Sequence, residues 1–450
     1  MSSAVIILAA GKGTRMKSDL PKVLHPIAGA PMLIHAMKAA QTIDPERVVV
    51  VAGHGADHVE AVALEFDRSA KIALQTNQKG TAHAADQARD ALADFEGDVI
   101  VLFGDTPFID PGTLNEVFAQ RQNGSDVVVL GFEAEEPGGY GRLVCDGSKL
   151  LEIVEAKDAS ADQLDIRLCN SGVMAADARN LFDLIAAVSP NNVQGEYYLT
   201  DIVAIANERG QSCSVVTCPE AETLGINSRE DLAEAEKIFQ IRMRRSAMKN
   251  GATLTDPDTV FFAHDTELGQ DVSIEPNVFF GPGVRIDDGV TIKAFCHIEG
   301  STIASGAVIG PFARLRPGTK MASGAKVGNF VEMKNAELEA GAKVNHLSYV
   351  GDTSIGARAN IGAGTITCNY DGVFKHKSRI GADAFIGSNS ALIAPVDIGD
   401  GAFVATGAVV TMDVPPGDLA IARSRQVNKP GLGARIIAQL RDLKKSGKRP

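Results

Sequence analysis

Residues 268–298 read LGQDVSIEPNVFFGPGVRIDDGVTIKAFCHI, with an apolar residue at every sixth position: Leu268, Ile274, Phe280, Ile286, Ile292 and Ile298. After a five-residue step the count resumes at Ile303, Ile309, Leu315, Met321, Val327 and Met333. Short steps lead on to Leu338, Val344 and Val350, then to Ile355 and Ile361. Beyond an interruption the pattern returns at Ile380, Ile386, Leu392, Ile398 and Val404. Four positions after the apolar slot stands a small or branched residue, as at Val284, Val290, Ala307, Ala325, Ala359 and Ala402. A helix needs an apolar spacing near 3.6, and a half-buried strand a spacing of 2. A period of six fits a coil with flat faces, three of which close one triangular turn of about 18 residues. The pattern predicts a left-handed parallel β-helix of hexapeptide repeats over 251–422.

Residues 1–227 are patterned differently. Apolar strands are predicted at 4–8, 48–52, 98–103 and 126–130, with helices at 31–42 and 81–92 between them. This alternation predicts an α/β domain with a doubly wound, Rossmann-like mixed sheet. A charged helix at 228–250 joins the two parts, opened by Ser228 and Asp231 as an N-cap pair and stopped by Gly251. The tail, 423–450, carries Lys444, Lys445, Lys448 and Arg449. Within it Ile436, Ile437, Leu440 and Leu443 fall on one side of an amphipathic helix.

At 450 residues the chain is too long for one core, and its 45% hydrophobic content is ample for two. Aromatics make up only 5% and Trp is absent, which suits a slim rod cored by Ile, Val and Ala. A formal charge of −12 argues against a dedicated nucleic-acid binder. No secretory leader and no long apolar run is present, so a cytoplasmic protein without membrane insertion is expected. The six cysteines show no CxxC pair and no zinc spacing, and are read as reduced packing residues.

Two places carry chemistry. The first strand runs into AAGKGTRM (9–16), where glycines let backbone amides approach a phosphate and Lys12 and Arg15 add positive charge. It is neither a Walker A loop nor a full dinucleotide fingerprint, because Met16 stands at the third glycine position. Lys22, after Pro21, can fold back over the loop. The strand at 98–103 ends in GDTP, which places Asp105 at the carboxyl edge of the sheet, where open α/β sheets bind ligands. A carboxylate facing phosphate oxygens there suits Mg²⁺.

The second place is on the rod. His346 lies two after the slot residue Val344 and so points outward; its counterpart one coil on, two after Ile361, is Ala363. Adjacent strands lie about 4.8 Å apart. A base beside a backbone donor is the arrangement wanted for acyl transfer from a thioester to an amine. Arg316 follows Leu315 and Lys334 follows Met333 one coil later, which makes a phosphate clamp. Tyr349 ends the face that leads to this pair, and the basic stretch 367–379 interrupts the count as solenoid binding loops do.

The combination LAAGKGTRM (8–16) with Pro21-Lys22 resembles the sugar-phosphate nucleotidyltransferase family. Joined to the hexapeptide rod, it is similar, over 4–425, to the family of bacterial bifunctional N-acetylglucosamine-1-phosphate uridyltransferase/glucosamine-1-phosphate N-acetyltransferases. The matching stretches include QKGTAHA (78–84), FGDTP (103–107), GYGR (139–142), NSG (170–172), GINSR (225–229), RLRPG (314–318), NFVEMK (329–334), NHLSY (345–349) and NIGAGTITCNYDG (360–372).

The resemblance implies that Leu8, Ala9, Ala10, Gly11, Gln75, Gly80 and Thr81 hold the uridine, with Phe103, Gly104 and Asp105 beside them. It implies that Gly141, Glu155 and Asn170 hold the sugar, that Asp105 and Asn227 bind Mg²⁺, and that Arg15 and Lys22 serve catalysis. On the rod it makes His346 the base, with Arg316, Lys334, Tyr349 and Asn360 on the sugar phosphate and Ala363, Asn369, Tyr370, Ser388, Thr406 and Arg423 on acetyl-CoA. The expected reactions are acetylation of glucosamine 1-phosphate and transfer of UMP from UTP, by a homotrimer. Phe103 stands where some relatives carry Tyr, so no hydroxyl contact is implied there, and Thr406 stands where Ala is expected. A monofunctional nucleotidyltransferase with a regulatory rod, or a rod that only assembles subunits, has no use for an exposed base beside a basic loop.

Overall fold

The computed structural model describes residues 2–447 and 449; Met1, Pro450 and the tail's Lys448 lie outside the described residues. Two compact units divide the chain, Met1–Ser246 with Phe262–His264, and Ala247–Phe261 with Asp265–Pro450.

In the first unit, alternation along the strands decides the layers. Ala4, Ile6 and Leu8 join Val49, Val51, Val99 and Val101 in one core, while Val5, Ile7 and Ala9 join Val48, Val50, Ile100 and Leu102 in another. The first core is closed by helices Thr81–Asp86, Ala178–Ile185 and Ile202–Glu208, the second by Met32–Gln41, Ala56–Phe66 and Pro111–Gln122. A sheet buried on both sides is doubly wound. Its spatial order is Cys213–Thr217, Val127–Glu133, Leu168–Asp177, Asp98–Phe103, Ser3–Ala9, Arg47–Ala52 and Lys71–Leu74. Only Leu168–Asp177 in this row runs antiparallel to its neighbours, so the sheet is mixed. An excursion of two strands, Arg142–Asp146 and Lys149–Val154, hangs from that antiparallel strand.

The helix expected over 81–92 is shorter. The amides of Gln87, Ala88 and Arg89 bond three residues back, to Ala84, Ala85 and Asp86, so the segment tightens and passes into a 3₁₀ turn at Asp90–Leu92. The helix expected at 228–250 spans Arg229–Lys249. Its start is a reciprocal cap: Ser228 Oγ accepts from the Asp231 amide at 3.1 Å, and Asp231 accepts from the Ser228 amide at 2.9 Å.

The second unit is a left-handed parallel β-helix of three sheets, with 10, 8 and 8 strands. Most strands are two to four residues long, and the residue at the sixth-position slot is the buried one. Ile274, Phe280, Ile286, Ile298, Ile309, Val327, Val344, Ile361, Ile386 and Val404 are each at most 2% exposed. Leu268, in the first coils, is only half-buried. Register partners such as Ser273 and Thr291 repeat in step along the rod, and the |i−j| of 18 recurs in cross-coil bonds such as Arg285 to Glu267. Where the loop intervenes, the corresponding separation is 25, as between Arg358 and Asp383.

The corners turn in the left-handed backbone region, which most residues avoid at a cost of about 1–2 kcal/mol. Phe295, Phe312 and Phe330 accept it, with φ of 60°, 55° and 55°. Their rings stack in the open at centroid distances of 4.8 and 5.2 Å, which offsets part of that cost. The tail forms helix Leu432–Lys445, on which Ile436, Ile437 and Leu440 are exposed. Burial of Cys213 and Cys296 pushes both thiols up to about 11, in keeping with packing roles; Cys145 is exposed.

Candidate active sites

The nucleotide loop is built by close approaches. Gly104 donates its amide to Leu8 O at 2.9 Å, which locks the GDTP turn against the end of the first strand. Gly13 has φ 59°, and a Cβ there would meet Lys22 Cβ at 2.5 Å; Lys22 folds back over the loop as its position after Pro21 suggested. The loop's exposed cations are Lys12 and Arg15, while Met16 is buried beneath it.

Lys22 reaches past the loop to the sheet edge. Its ammonium pairs with Asp105 and donates to Asn227 Oδ1 at 3.0 Å. Asn227 is held there by its amide bond to Asp231 at 2.8 Å and by the bond from Ile226 N to Asp105 O at 3.0 Å. Asp105 and Asn227, far apart in the chain, thus present two oxygens to one positive point. The sequence did not show that Lys22 occupies that point.

Gln75 is buried, and its Nε2 donates to Gly80 O at 3.2 Å and meets His83 Nδ1 at 3.0 Å. Gly80 is obligatory: with φ 111°, any Cβ would strike Tyr197 O at 2.4 Å. Thr81 Oγ1 accepts from the Leu199 amide at 2.9 Å. On the opposite wall the Asn170 amide bonds Gly141 O at 2.8 Å, and Gly172 fits under the Phe103 ring. Glu155, bonded by Thr200 Oγ1 at 3.3 Å, has its carboxyl pushed above the usual glutamate range by burial. The expected uridine residues therefore fall on the carboxyl ends of Ser3–Ala9, Lys71–Leu74 and Asp98–Phe103 and the loops that follow. Of the sugar residues, Glu155 follows Lys149–Val154, Gly141 precedes Arg142–Asp146, and Asn170 lies near the start of the antiparallel strand Leu168–Asp177.

On the rod the expected residues sort into columns. Val327 pairs with Val344, Val344 with Ile361, Ile361 with Ile386 and Ile386 with Val404. The residues two further on therefore stack in order: Asn329, His346, Ala363, Ser388 and Thr406. His346 is exposed, and the Gly364 amide bonds its carbonyl at 3.1 Å from the next rung. Val404 pairs with Ala420, so Ala422 takes the next place, and Arg423 lies just past it, its Cδ 3.7 Å from where a Cβ on Gly407 would stand.

A second column begins at the following corner. Leu315 pairs with Met333, and Lys334 pairs with Gly351, so Arg316, Lys334 and Gly351 stack. Gly351 leaves room that the Tyr349 hydroxyl and the Asn369 amide fill, each under 3 Å from where its Cβ would be. Arg316 is paired with Glu332 at 2.8 Å. Lys334 is held below the ordinary lysine range, first by contact with Lys375 and then by Arg316. Three cations therefore converge, one of them supplied by the loop. The basic character of that loop is legible in the sequence, but no repeat phase exists there to single out Lys375.

The loop is tied down at both ends. Asn369, buried, donates to Asp352, and the His376 amide bonds Asn369 O at 2.8 Å. Asp371 accepts from the amides of Val373 and Phe374 at 2.8 and 2.7 Å and faces His376 Nε2 at 2.6 Å. Tyr370 is exposed beside it. Asn360 stands apart from the cation column, at the start of its strand, between Lys343 below and Phe385 above.

These features define a transferase with a nucleotide-binding α/β domain and a hexapeptide-repeat acyltransferase domain. Residues 5–215 match the MobA-like NTP transferase domain, 265–300 the bacterial transferase hexapeptide repeat and 378–412 the hexapeptide repeat of succinyl-transferase. The chain belongs to the bifunctional protein GlmU family. It is 59% identical over 446 residues to the bifunctional protein GlmU of Ruegeria pomeroyi, covering 99% of each chain. It is 57% identical over 444 residues to that of Roseobacter denitrificans, covering 99% of this chain and 98% of that one. The same identity holds over 444 residues against that of Dinoroseobacter shibae, at 99% of each.

Proposed function

We propose that this chain makes UDP-N-acetylglucosamine in two steps at two sites. The rod transfers the acetyl group of acetyl-CoA to the amine of glucosamine 1-phosphate. The α/β domain then joins the product to UMP from UTP and releases pyrophosphate. The observations that carry the reading are the stacking of Arg316 and Lys334 on successive rungs, with Lys375 of the loop against Lys334, and the outward His346 imidazole at another corner of the same coils. Stacked cations, of which Glu332 pairs with Arg316, call for an anion, and an exposed base calls for a proton to remove. A phosphorylated amine answers both.

In the acetyl step the amine nitrogen attacks the thioester carbonyl carbon. A nitrogen–carbon bond forms, the carbon–sulfur bond breaks, and the amine proton passes to His346. The Ala363 backbone, one rung on, faces the oxygen that gains charge. Ser388 and Thr406 continue the same column and, with Arg423 opposite Gly407 and Asn369 and Tyr370 on the loop, line the acetyl-CoA.

In the uridylyl step a sugar-phosphate oxygen attacks the α-phosphorus in line, and positioning with charge neutralisation does most of the work. Arg15 and Lys22 supply cations, Gln75, Gly80 and Thr81 hold the base, and Gly141, Glu155 and Asn170 hold the sugar. Asp105 and Asn227 fit Mg²⁺, since they already direct two oxygens at the Lys22 ammonium. Bound there, the metal would neutralise phosphate oxygens, which would complete its shell.

The exposed ring stacks Phe295–Phe312–Phe330 and Phe385–Phe403 support a homotrimer formed through the rod. Among the described residues no helix is long and apolar enough to cross a membrane, and the proposed location is the cytoplasm. The test is to mix the protein with acetyl-CoA, glucosamine 1-phosphate, UTP and Mg²⁺ and to follow free thiol and pyrophosphate separately. Both are expected. No thiol release would remove the acetyl step; pyrophosphate release that needs no sugar phosphate would remove the second.

A further inference from the structure

Asn329 occupies the place in the His346 column one rung below the imidazole, and its Oδ1 lies 2.6 Å from His346 Nδ1. That contact is built by a local change in the rod. On this sheet the neighbouring strands Val308–Ile309 and Asn360–Ile361 are two residues long, whereas Lys326–Asn329 and Lys343–His346 have four. The extra pairing carries the ladder out to Asn329 and His346 themselves. It demands Gly328, where a Cβ would stand 1.9 Å from Asn345 O. The Leu347 amide then bonds Asn329 O at 3.1 Å and closes the extension.

The rest of the column sharpens the point. The same place in lower coils holds Ala294 and Pro311, and above His346 it holds Ala363. None of these side chains can hydrogen-bond, and the hydroxyls of Ser388 and Thr406 stand only on the rungs beyond Ala363. An amide appears only under the histidine.

We infer that Asn329 is a positioning residue that fixes the tautomer of His346. The amide oxygen accepts from Nδ1–H, so the lone pair is left on Nε2, the nitrogen turned away from the rung below. The choice of an amide also matters. A carboxylate at the same place would favour the imidazolium and hold the base protonated at higher pH, whereas the neutral oxygen sets the tautomer without adding charge. The charged groups nearest along the two strands and past their corner are Lys326, Lys343, Glu332 and Lys334, and the Ser348 hydroxyl donates to His346 O at 2.8 Å. None of them replaces the acceptor on Nδ1.

This inference rests on the proposed acetyl transfer, and its test separates the two. The full chain and its Asn329→Ala and Asn329→Asp variants are assayed with acetyl-CoA and glucosamine 1-phosphate by thiol release, and with UTP and N-acetylglucosamine 1-phosphate by pyrophosphate release. Asn329→Ala is expected to lower kcat of acetyl transfer by roughly 10- to 100-fold, part of what a positioned base contributes. KM for both substrates and the uridylyl rate stay within about twofold of wild type. Asn329→Asp restores an acceptor, so it recovers rate at alkaline pH and moves the acid limb of kcat to higher pH. An unchanged kcat in Asn329→Ala, or an acid limb in Asn329→Asp that coincides with wild type, overturns the role. Failure of the wild-type protein to release thiol overturns the acetyl reading itself, independently of either variant.

Discussion

The two sites are assembled by opposite means. In the α/β domain, Lys22, Asp105 and Asn227 come from three distant segments and meet only because a sheet edge and a capped helix start bring them there. On the rod, Asn329, His346, Ala363, Ser388 and Thr406 come from successive coils and meet because each coil repeats the last. The first site depends on tertiary coincidence, the second on counting. The contrast teaches where a single change stays local. A solenoid coil touches only its neighbours, so damage spreads little along it. A residue at a sheet edge is held by several elements at once.

The largest expected effect is at the rod. With His346 as the proposed proton acceptor, His346→Ala should lower acetyl transfer by roughly 10²- to 10⁴-fold while uridylyl transfer stays near wild type. Thiol and pyrophosphate assays on one preparation check this, and a joint loss of both activities in a folded protein would break the separation of the sites. Next comes the sheet edge. Asp105→Ala should cost pyrophosphate release on the order of 10²- to 10³-fold and leave thiol release unchanged. Retained uridylyl activity would take Asp105 out of the phosphate site.

A core change probes locality directly. Ile361→Ala empties a slot that is 2% exposed, between the His346 and Ser388 coils. It should cost about 2–5 kcal/mol of stability in denaturant melts. Acetyl transfer should drop with it, and uridylyl transfer should not.

Smaller still is a pH effect at Glu155. Its carboxyl is raised by burial, so the folded state is penalised for the charged form above that raised value, and the penalty disappears as pH falls through it. Glu155→Gln should therefore raise Tm slightly at pH 8, with the gain vanishing at acid pH, and should raise KM for the sugar phosphate. A Tm gain that persists unchanged into acid would point to packing instead. The smallest effect is expected from Thr406→Ala, which trims an exposed side chain while leaving the rung's backbone in place; KM for acetyl-CoA should move by less than about threefold.

How far each region could be read beforehand follows from the same contrast. The period of six fixed which rod residues face inward, and with them the outward setting of His346 and its neighbour Ala363. Asn329 obeyed the same rule, two after Val327 and one coil beneath His346, and counting one coil down would have found it. Lys375 could not be found that way, because the loop breaks the phase and its placement depends on the Asn369, Asp352 and Asp371 bonds.

In the α/β domain, strand and helix alternation revealed the layers, and the GDTP turn revealed the ligand edge. It did not reveal the two-strand excursion 142–154 or the antiparallel strand Leu168–Asp177, whose direction is set by its pairing with the distant strands Asp98–Phe103 and Val127–Glu133. Nor did composition show that the helix at 81–92 would tighten after Asp86.

The column from His346 to Thr406 is also a ruler. Its graduations are rungs about 4.8 Å apart, and each mark repeats the same local backbone under a different side chain. Inserting one whole coil of about 18 residues would lengthen the scale by one mark and leave every side chain on it pointing the same way. A shorter insertion would break the count and turn each later residue to another face.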